Sequence, residues 1–266
     1  MKISVILNAH GNTELVSDTV DSIRKWVTND VLMVVDGASW DNWGKQVRLP
    51  VSKLEGFHHN CDKAPYRNVA FGLSQAVKIF PNSDWYIYCE PDVLFASDSF
   101  KEDLESAKKR NVWCMGNDFK TKRLKLPMLE TILQDKLNGP GKYLLGCCMF
   151  HSGEFLRALS DFGFFERFLF YTNGFAPGVF PGYNGIYNYD FSEYLYPTLA
   201  NHFGGNVEGM ASWNPRLNEW DGNFKKYPIR WKPVLKISEE FEGAIYHPLK
   251  EFSHPIRQLQ RMKKNV

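Results

Sequence analysis

The chain lacks the features that would set it apart from ordinary globular proteins. Its 266 residues carry a formal net charge of only +2, too little by itself to imply a nucleic-acid partner. The five cysteines are an odd number, none stands in a Cys-x-x-Cys pair, and Cys147 and Cys148 adjoin inside an apolar run. That usage argues against a disulfide framework and fits reduced, buried thiols in a cytosolic protein. No apolar run approaches the length of a membrane span. The N-terminal run Ile3–Leu7 is too short for a signal-peptide core. The expected protein is cytoplasmic, with no integral membrane segment. Gly-x-Ser-x-Gly, a phosphate-binding P-loop and Gly-x-Gly-x-x-Gly are all missing, and the last absence argues against a dinucleotide-binding oxidoreductase. His58-His59-Asn60-Cys61-Asp62 has no second ligand cluster at zinc spacing and reads as a polar loop. Without repeats or low-complexity linkers, one compact domain with a C-terminal elaboration is expected.

What is present is an alternation of strands and helices. Ile3–Leu7 reads as a buried strand, followed by a polar turn through His10. Val16, Val20, Ile23 and Val27 then recur at helical spacing, with Asn12 or Thr13 as cap. Val31–Val35 is a second strand, stopped at Asp36-Gly37. Pro65 opens a helix whose Val69, Leu73, Ala76 and Phe80 share one face. Trp85–Cys89 is a third strand, Asp98 a cap for a short helix, and Val112–Met115 a fourth strand. This is the pattern of a parallel sheet with helices on both faces. In the second half, Tyr143–Phe150 reads as one apolar strand and 173–188 as a glycine- and aromatic-rich loop. A helix is expected from Asp190 to Phe203, a short strand ends at His247-Pro248, and a basic helix spans Ser253–Lys264.

Glu90-Pro91-Asp92 directly follows the third strand. Proline ends a strand because it has no N–H and a fixed φ. Ligands in open α/β sheets bind outside the carboxyl ends of strands. Two carboxylates there suit Mg²⁺ or Mn²⁺, which bind a few carboxylates together with a substrate's phosphates. Solvated caps at a strand end are the plainer alternative.

These residues resemble a family. Ser4 to His10, then Val20-Asp21-Ser22-Ile23, then Val34-Val35-Asp36-Gly37-Ala38-Ser39 look like the opening of the inverting family 2 glycosyltransferases of GT-A fold. Tyr66-Arg67-Asn68 matches that family's Ala-Arg-Asn at a helix start. Glu90-Pro91-Asp92 falls at its metal-binding Asp-x-Asp, with glutamate for the first aspartate. Tyr189-Asp190-Phe191 falls where Glu-Asp often stands. The resemblance covers the first half well and the second half loosely.

It implies a Rossmann-like GT-A fold, α/β, with a mixed, mostly parallel sheet flanked by helices. Residues 1–115 would form the nucleotide-sugar-binding half, and 116–266 the acceptor-binding half. Glu90 and Asp92 would hold Mn²⁺ or Mg²⁺, with His247 as a third ligand and His254 as its alternative. His10 would lie against the base, Asp36 would accept from the nucleobase or ribose, and Arg67 would meet the diphosphate. Asp190 would be the base of an inverting transfer, although it equally suits an N-cap and Glu193 competes for the role.

The donor would be a nucleotide-diphosphate sugar, and the acceptor a glycan or a modified DNA base. Basic residues at 108–110 and 120–125, and Arg257, Arg261 and Lys264, could track phosphates or lie on solvated faces. A nucleotidyltransferase and a non-catalytic glycan- or nucleic-acid-binding module are the rival readings.

Overall fold

The computed structural model describes residues 1–9, 12–35, 51–53, 65–122, 126–172, 191–231 and 243–262. Its centre is a seven-stranded sheet. The strands are β1 (Ile3–Ala9), β2 (Val31–Val35), β3 (Val51–Lys53), β4 (Trp85–Cys89), β6 (Val112–Gly116), β9 (Cys148–Ser152) and β10 (Asn206–Gly209), in the order β10-β6-β9-β4-β1-β2-β3. Only β9 runs against its neighbours β4 and β6; the other pairings are parallel. The fold is therefore α/β with a mixed, mostly parallel sheet. Minor pairs are β5 (Leu94–Phe95) with β13 (Ile245–Tyr246), β7 (Lys120–Lys122) with β8 (Gly141–Tyr143), and β11 (Trp213–Asn214) with β12 (Glu219–Trp220).

Helices cover both faces because the strands are apolar on both faces, as buried parallel strands must be. Val5, Leu7, Ile87 and Phe150 point one way, towards α1 (Thr13–Trp26) and α3 (Phe100–Lys109). Ile6, Leu32, Tyr86 and Met149 point the other way. They meet α2 (Pro65–Ile79), α4 (Pro127–Leu133), α5 (Gly153–Asp161), α6 (Phe164–Tyr171) and α7 (Phe191–His202). Asn12 caps α1 by accepting from the N–H groups of Glu14 at 2.8 Å and Leu15 at 3.4 Å. Helix α2 lies close on the sheet at Gly72, where a Cβ would stand 2.8 Å from Ile6 Cγ2 and 2.9 Å from Val34 Cγ2. The last helix, α8, is Pro255–Met262.

Two expectations need correction. Tyr143–Phe150 is not one strand: β8 and β9 belong to different sheets, separated by residues 144–147. The backbone there is spent elsewhere, since Leu144 N–H donates to Glu193 O, Leu145 N–H to Asn117 O, and Gly146 N–H to the Glu193 carboxylate. Helix α3 starts at Phe100, after Ser99, so Asp98 is not its cap residue.

Candidate metal centre

Strand β4 is central and fully buried, lying between β1 and β9. Chain order reverses between β1 and β4, because β2 and β3 lie on one side of that pair and later strands on the other. The carboxyl ends at such a switch point frame a crevice. Beyond Cys89 the chain makes a turn closed by Val93 N–H donating to Glu90 O at 3.2 Å. Glu90 N–H is tied to Cys147 O at 3.1 Å, and Leu249 N–H to Asp92 O at 2.8 Å.

The turn brings Glu90 and Asp92 to His247, and one ligand atom from each of the three lies within 4.8 Å of the others. His247 Nε2 is 3.2 Å from Asp92 Oδ1 and 3.5 Å from Glu90 Oε2. Asp92 and His247 are nearly closed to solvent, whereas Glu90 is more than a third exposed and opens the cluster outward. The strand-end position of Glu90-Pro91-Asp92 was legible in the sequence; the approach of His247 came from a chain segment more than 150 residues later.

His247 is held from behind. Residues 228–230 run beside it: Ile229 bridges it, His247 N–H donates to Pro228 O, and Arg230 N–H donates to His247 O. Its Nδ1 stands 2.6 Å from Arg230 O. A carbonyl only accepts, so Nδ1 carries the hydrogen and Nε2 faces the two carboxylates. A second partner of this kind fixes tautomer and ring plane in metal-binding histidines. The Asn117 amide in turn donates to Tyr227 O at 2.9 Å and Ile229 O at 2.8 Å, anchoring that segment to the end of β6.

Asp92 Oδ1 and His247 Nε2 are buried, yet neither makes a hydrogen bond of proper geometry. Their 3.2 Å approach is an ion-pair distance off the hydrogen-bond line. Two donors on adjacent corners of an octahedral shell with bonds of 2.0–2.1 Å stand about 3 Å apart. The residues therefore fit a small divalent cation, and a proton on Nε2 would be its substitute. Burial would hold the His247 pKa down, but the adjacent Asp92 and Glu90 carboxylates raise it well above the ordinary imidazole value. Burial lifts the Asp92 carboxyl, but the His247 ring and Lys250 hold it below the carboxylate range. Burial pushes the neighbouring Cys147 thiol up to about 11, so it stays neutral.

Of the other expected site residues, His10, Asp36 and Asp190 lie outside the described residues. Strands β1 and β2 end at Ala9 and Val35, one residue short of the first two. The Arg67 guanidinium turns to the end of α6, donating to Leu169 O at 3.0 Å and to the Thr172 hydroxyl. Glu193 Oε1 accepts from Gly146 N–H at 2.7 Å, one residue before Cys147. His254 does not join the cluster and uses Nδ1 to accept from Ile256 N–H.

Several basic residues are already compensated: Lys108 by Asp84, Arg110 by Glu208, Lys120 by Asp118, and both Arg257 and Arg261 by Asp18. Arg257 is buried, so it does not belong to an exposed basic face. Asn117, Arg230 and Asp18 were missed from the sequence, and Arg257 was read there only as part of a basic helix face. Asp18 did carry a signal: it sits among the buried Leu15, Val16, Thr19 and Val20 of α1, and an acid in an apolar stripe needs a buried partner.

Fold and site together define an α/β protein with an acidic, histidine-backed cluster at its switch point. No protein-family model and no curated protein matches the chain. Among solved structures it is similar to S. aureus TarS residues 1–349, at 15% identity and a TM-score of 0.38 over 60% of this chain and 49% of that one. The complex of that protein with UDP-GlcNAc gives 14% and 0.37, over 60% and 48%. 4-Diphosphocytidyl-2C-methyl-D-erythritolsynthase from Anaerococcus prevotii gives 12% and 0.42, over 78% and 87%. The match thus spans about half the length of TarS 1–349. Likenesses this distant assign no family. Among the described residues, no helix is long and apolar enough to cross a membrane.

Proposed function

We propose that this chain is a nucleotide-sugar-dependent glycosyltransferase of GT-A type. The observation that carries the reading is the convergence of Glu90, Asp92 and His247 at the carboxyl end of β4, beside the switch point. In this reading the three side chains hold Mn²⁺ or Mg²⁺. The ion supplies electrostatic neutralisation of a leaving diphosphate. Glu90, the exposed member, faces the incoming donor, while Asp92 and His247 form the buried wall. The Arg230 carbonyl keeps Nε2 of His247 aimed inward. By the family resemblance, His10 and Asp36 contact the nucleoside. Asp190 takes the proton from the acceptor hydroxyl, giving inversion. A base must lie within hydrogen-bond reach of that hydroxyl, and Glu193 is the nearby competitor. The acceptor is a glycan, with a modified DNA base as the second candidate.

The test is a donor screen. Purified protein with Mn²⁺ is offered several nucleotide sugars, and free nucleoside diphosphate is counted with and without EDTA. Release from one donor, lost in Asp92→Asn, is the expected result. Pyrophosphate release from a nucleoside triphosphate instead would favour a nucleotidyltransferase. Absence of both turnover and donor binding, the latter read by thermal shift in the same samples, would leave the non-catalytic module.

A further inference from the structure

A guanidinium shut away from water must place its five donors on partners inside the protein. The Arg257 side chain on α8 has no solvent exposure (0%). Its Nη1 donates to Asp18 Oδ2 at 2.7 Å, and Thr19 Oγ1 lies 3.2 Å from both terminal nitrogens. Its Nε donates to Leu249 O at 3.0 Å, and its Nη2 reaches Pro91 O and Val93 O, both at 3.4 Å. Three of these acceptors bracket the cluster. Pro91 and Val93 flank Asp92, and Leu249 stands two residues beyond His247. The Thr19 hydroxyl reaches the same Pro91 and Val93 carbonyls at 2.5 and 3.0 Å. Ile256 of α8 packs with Leu94 and Ala96, just after the turn, and with Tyr246 and Leu249, on either side of His247.

We infer that Arg257 is a positioning residue for the metal centre: it ties the Asp92 turn to the His247 segment, so that the two donors converge on one cation. The inference rests on the metal reading of the cluster. A buried ion pair is often replaceable by apolar side chains without loss of stability. A planar fork that spans carbonyls on two separate segments also sets their spacing, which an ammonium on a flexible stem does not reproduce. Arg257 touches neither the ion nor the substrate in this account; it acts through the backbone on which Asp92 and His247 are mounted.

The experiment is a Mn²⁺ titration of the full chain, followed by the electron paramagnetic resonance signal of free ion well below the melting temperature. The proteins are the parent, Arg257→Lys, Arg257→Gln and Leu159→Ala, the last a cavity variant in the core on the opposite face of the sheet. Both Arg257 variants are expected to bind Mn²⁺ about 10–100-fold more weakly, as supporting residues of metal ligands do. Leu159→Ala is expected to melt earlier and bind as the parent does. Parental affinity in a folded Arg257→Lys would overturn the inference. So would an equal loss of affinity in Leu159→Ala. If Arg257→Gln does not fold, Arg257→Lys carries the test. If neither folds, Thr19→Val, which removes the hydroxyl from the same two carbonyls, is judged by the same criterion. A parent that binds no Mn²⁺ overturns the metal reading and this inference together, whereas a binding parent with unchanged variants overturns the inference alone.

Discussion

His151 offers a sharp test of the packing around the sheet. It lies on β9, fully buried, with Nδ1 3.5 Å from Cys114 Sγ and no partner for Nε2 among the described residues. The Tyr196 ring of α7 lies 5.3 Å away and Phe155 of α5 6.1 Å away. The titratable neighbours are neutral, because burial raises the pKa of both Cys114 and Tyr196. Burial alone therefore lowers the His151 pKa from 6.5 to about 3. Below pH 6.5 the unfolded chain binds a proton that the native state refuses. Stability contributed by the neutral ring is thus complete above the unfolded pKa and drains away as pH falls towards the folded one. The slope is about 1.4 kcal/mol per pH unit, so moving from pH 8 to pH 4.5 costs about 3 kcal/mol. In a chain of this size that is roughly 5–10 °C of melting temperature. His151→Gln carries its own cost at neutral pH but does not titrate. Melts of parent and variant at several pH values between 8 and 4.5 should converge on the acid side, since other titrating groups act alike in both. Parallel curves would mean that His151 takes up a proton inside the fold, and would refute the burial account.

Mn²⁺ at a hundredfold excess over its dissociation constant should stabilise the parent by about 2.7 kcal/mol, read as a rise in melting temperature that Asp92→Asn lacks. Gly72→Ala forces a methyl to within 2.8 Å of Ile6 and 2.9 Å of Val34. Overpacking of this kind costs about 1–3 kcal/mol, measurable as a lower urea midpoint with unchanged slope. The Asp84 carboxyl is held below its usual range by the Lys108 ammonium and by the Lys2 N–H. Its contribution is present above the unfolded carboxylate value and is lost as pH falls through the lowered one. Asp84→Asn should therefore melt earlier at pH 7 and match the parent in acid, the difference staying within about 1 kcal/mol for so exposed a pair.

Local patterning carried much of this protein. β2, β4 and α2 stand where their apolar periodicity put them, and Asn12 caps α1, because burial period and capping chemistry are properties of neighbouring residues. The strand-end acids at Glu90 and Asp92 were legible for the same reason. A break at 144–147 was not legible, because it depends on Glu193 and Asn117 taking up backbone N–H groups that a strand would have used. The donor set was not a matter of local pattern: His247 was named beside Glu90 and Asp92 only through the family resemblance, and the folded chain brings the three together. His247 sits beside residues 228–230, and Arg257 bonds Asp18 from 239 positions away while reaching Pro91 O, Val93 O and Leu249 O. Contacts of such separation leave no period in the chain. They are decided by which segments the folded sheet brings to one edge, and at that edge tertiary structure turns three scattered side chains into one site.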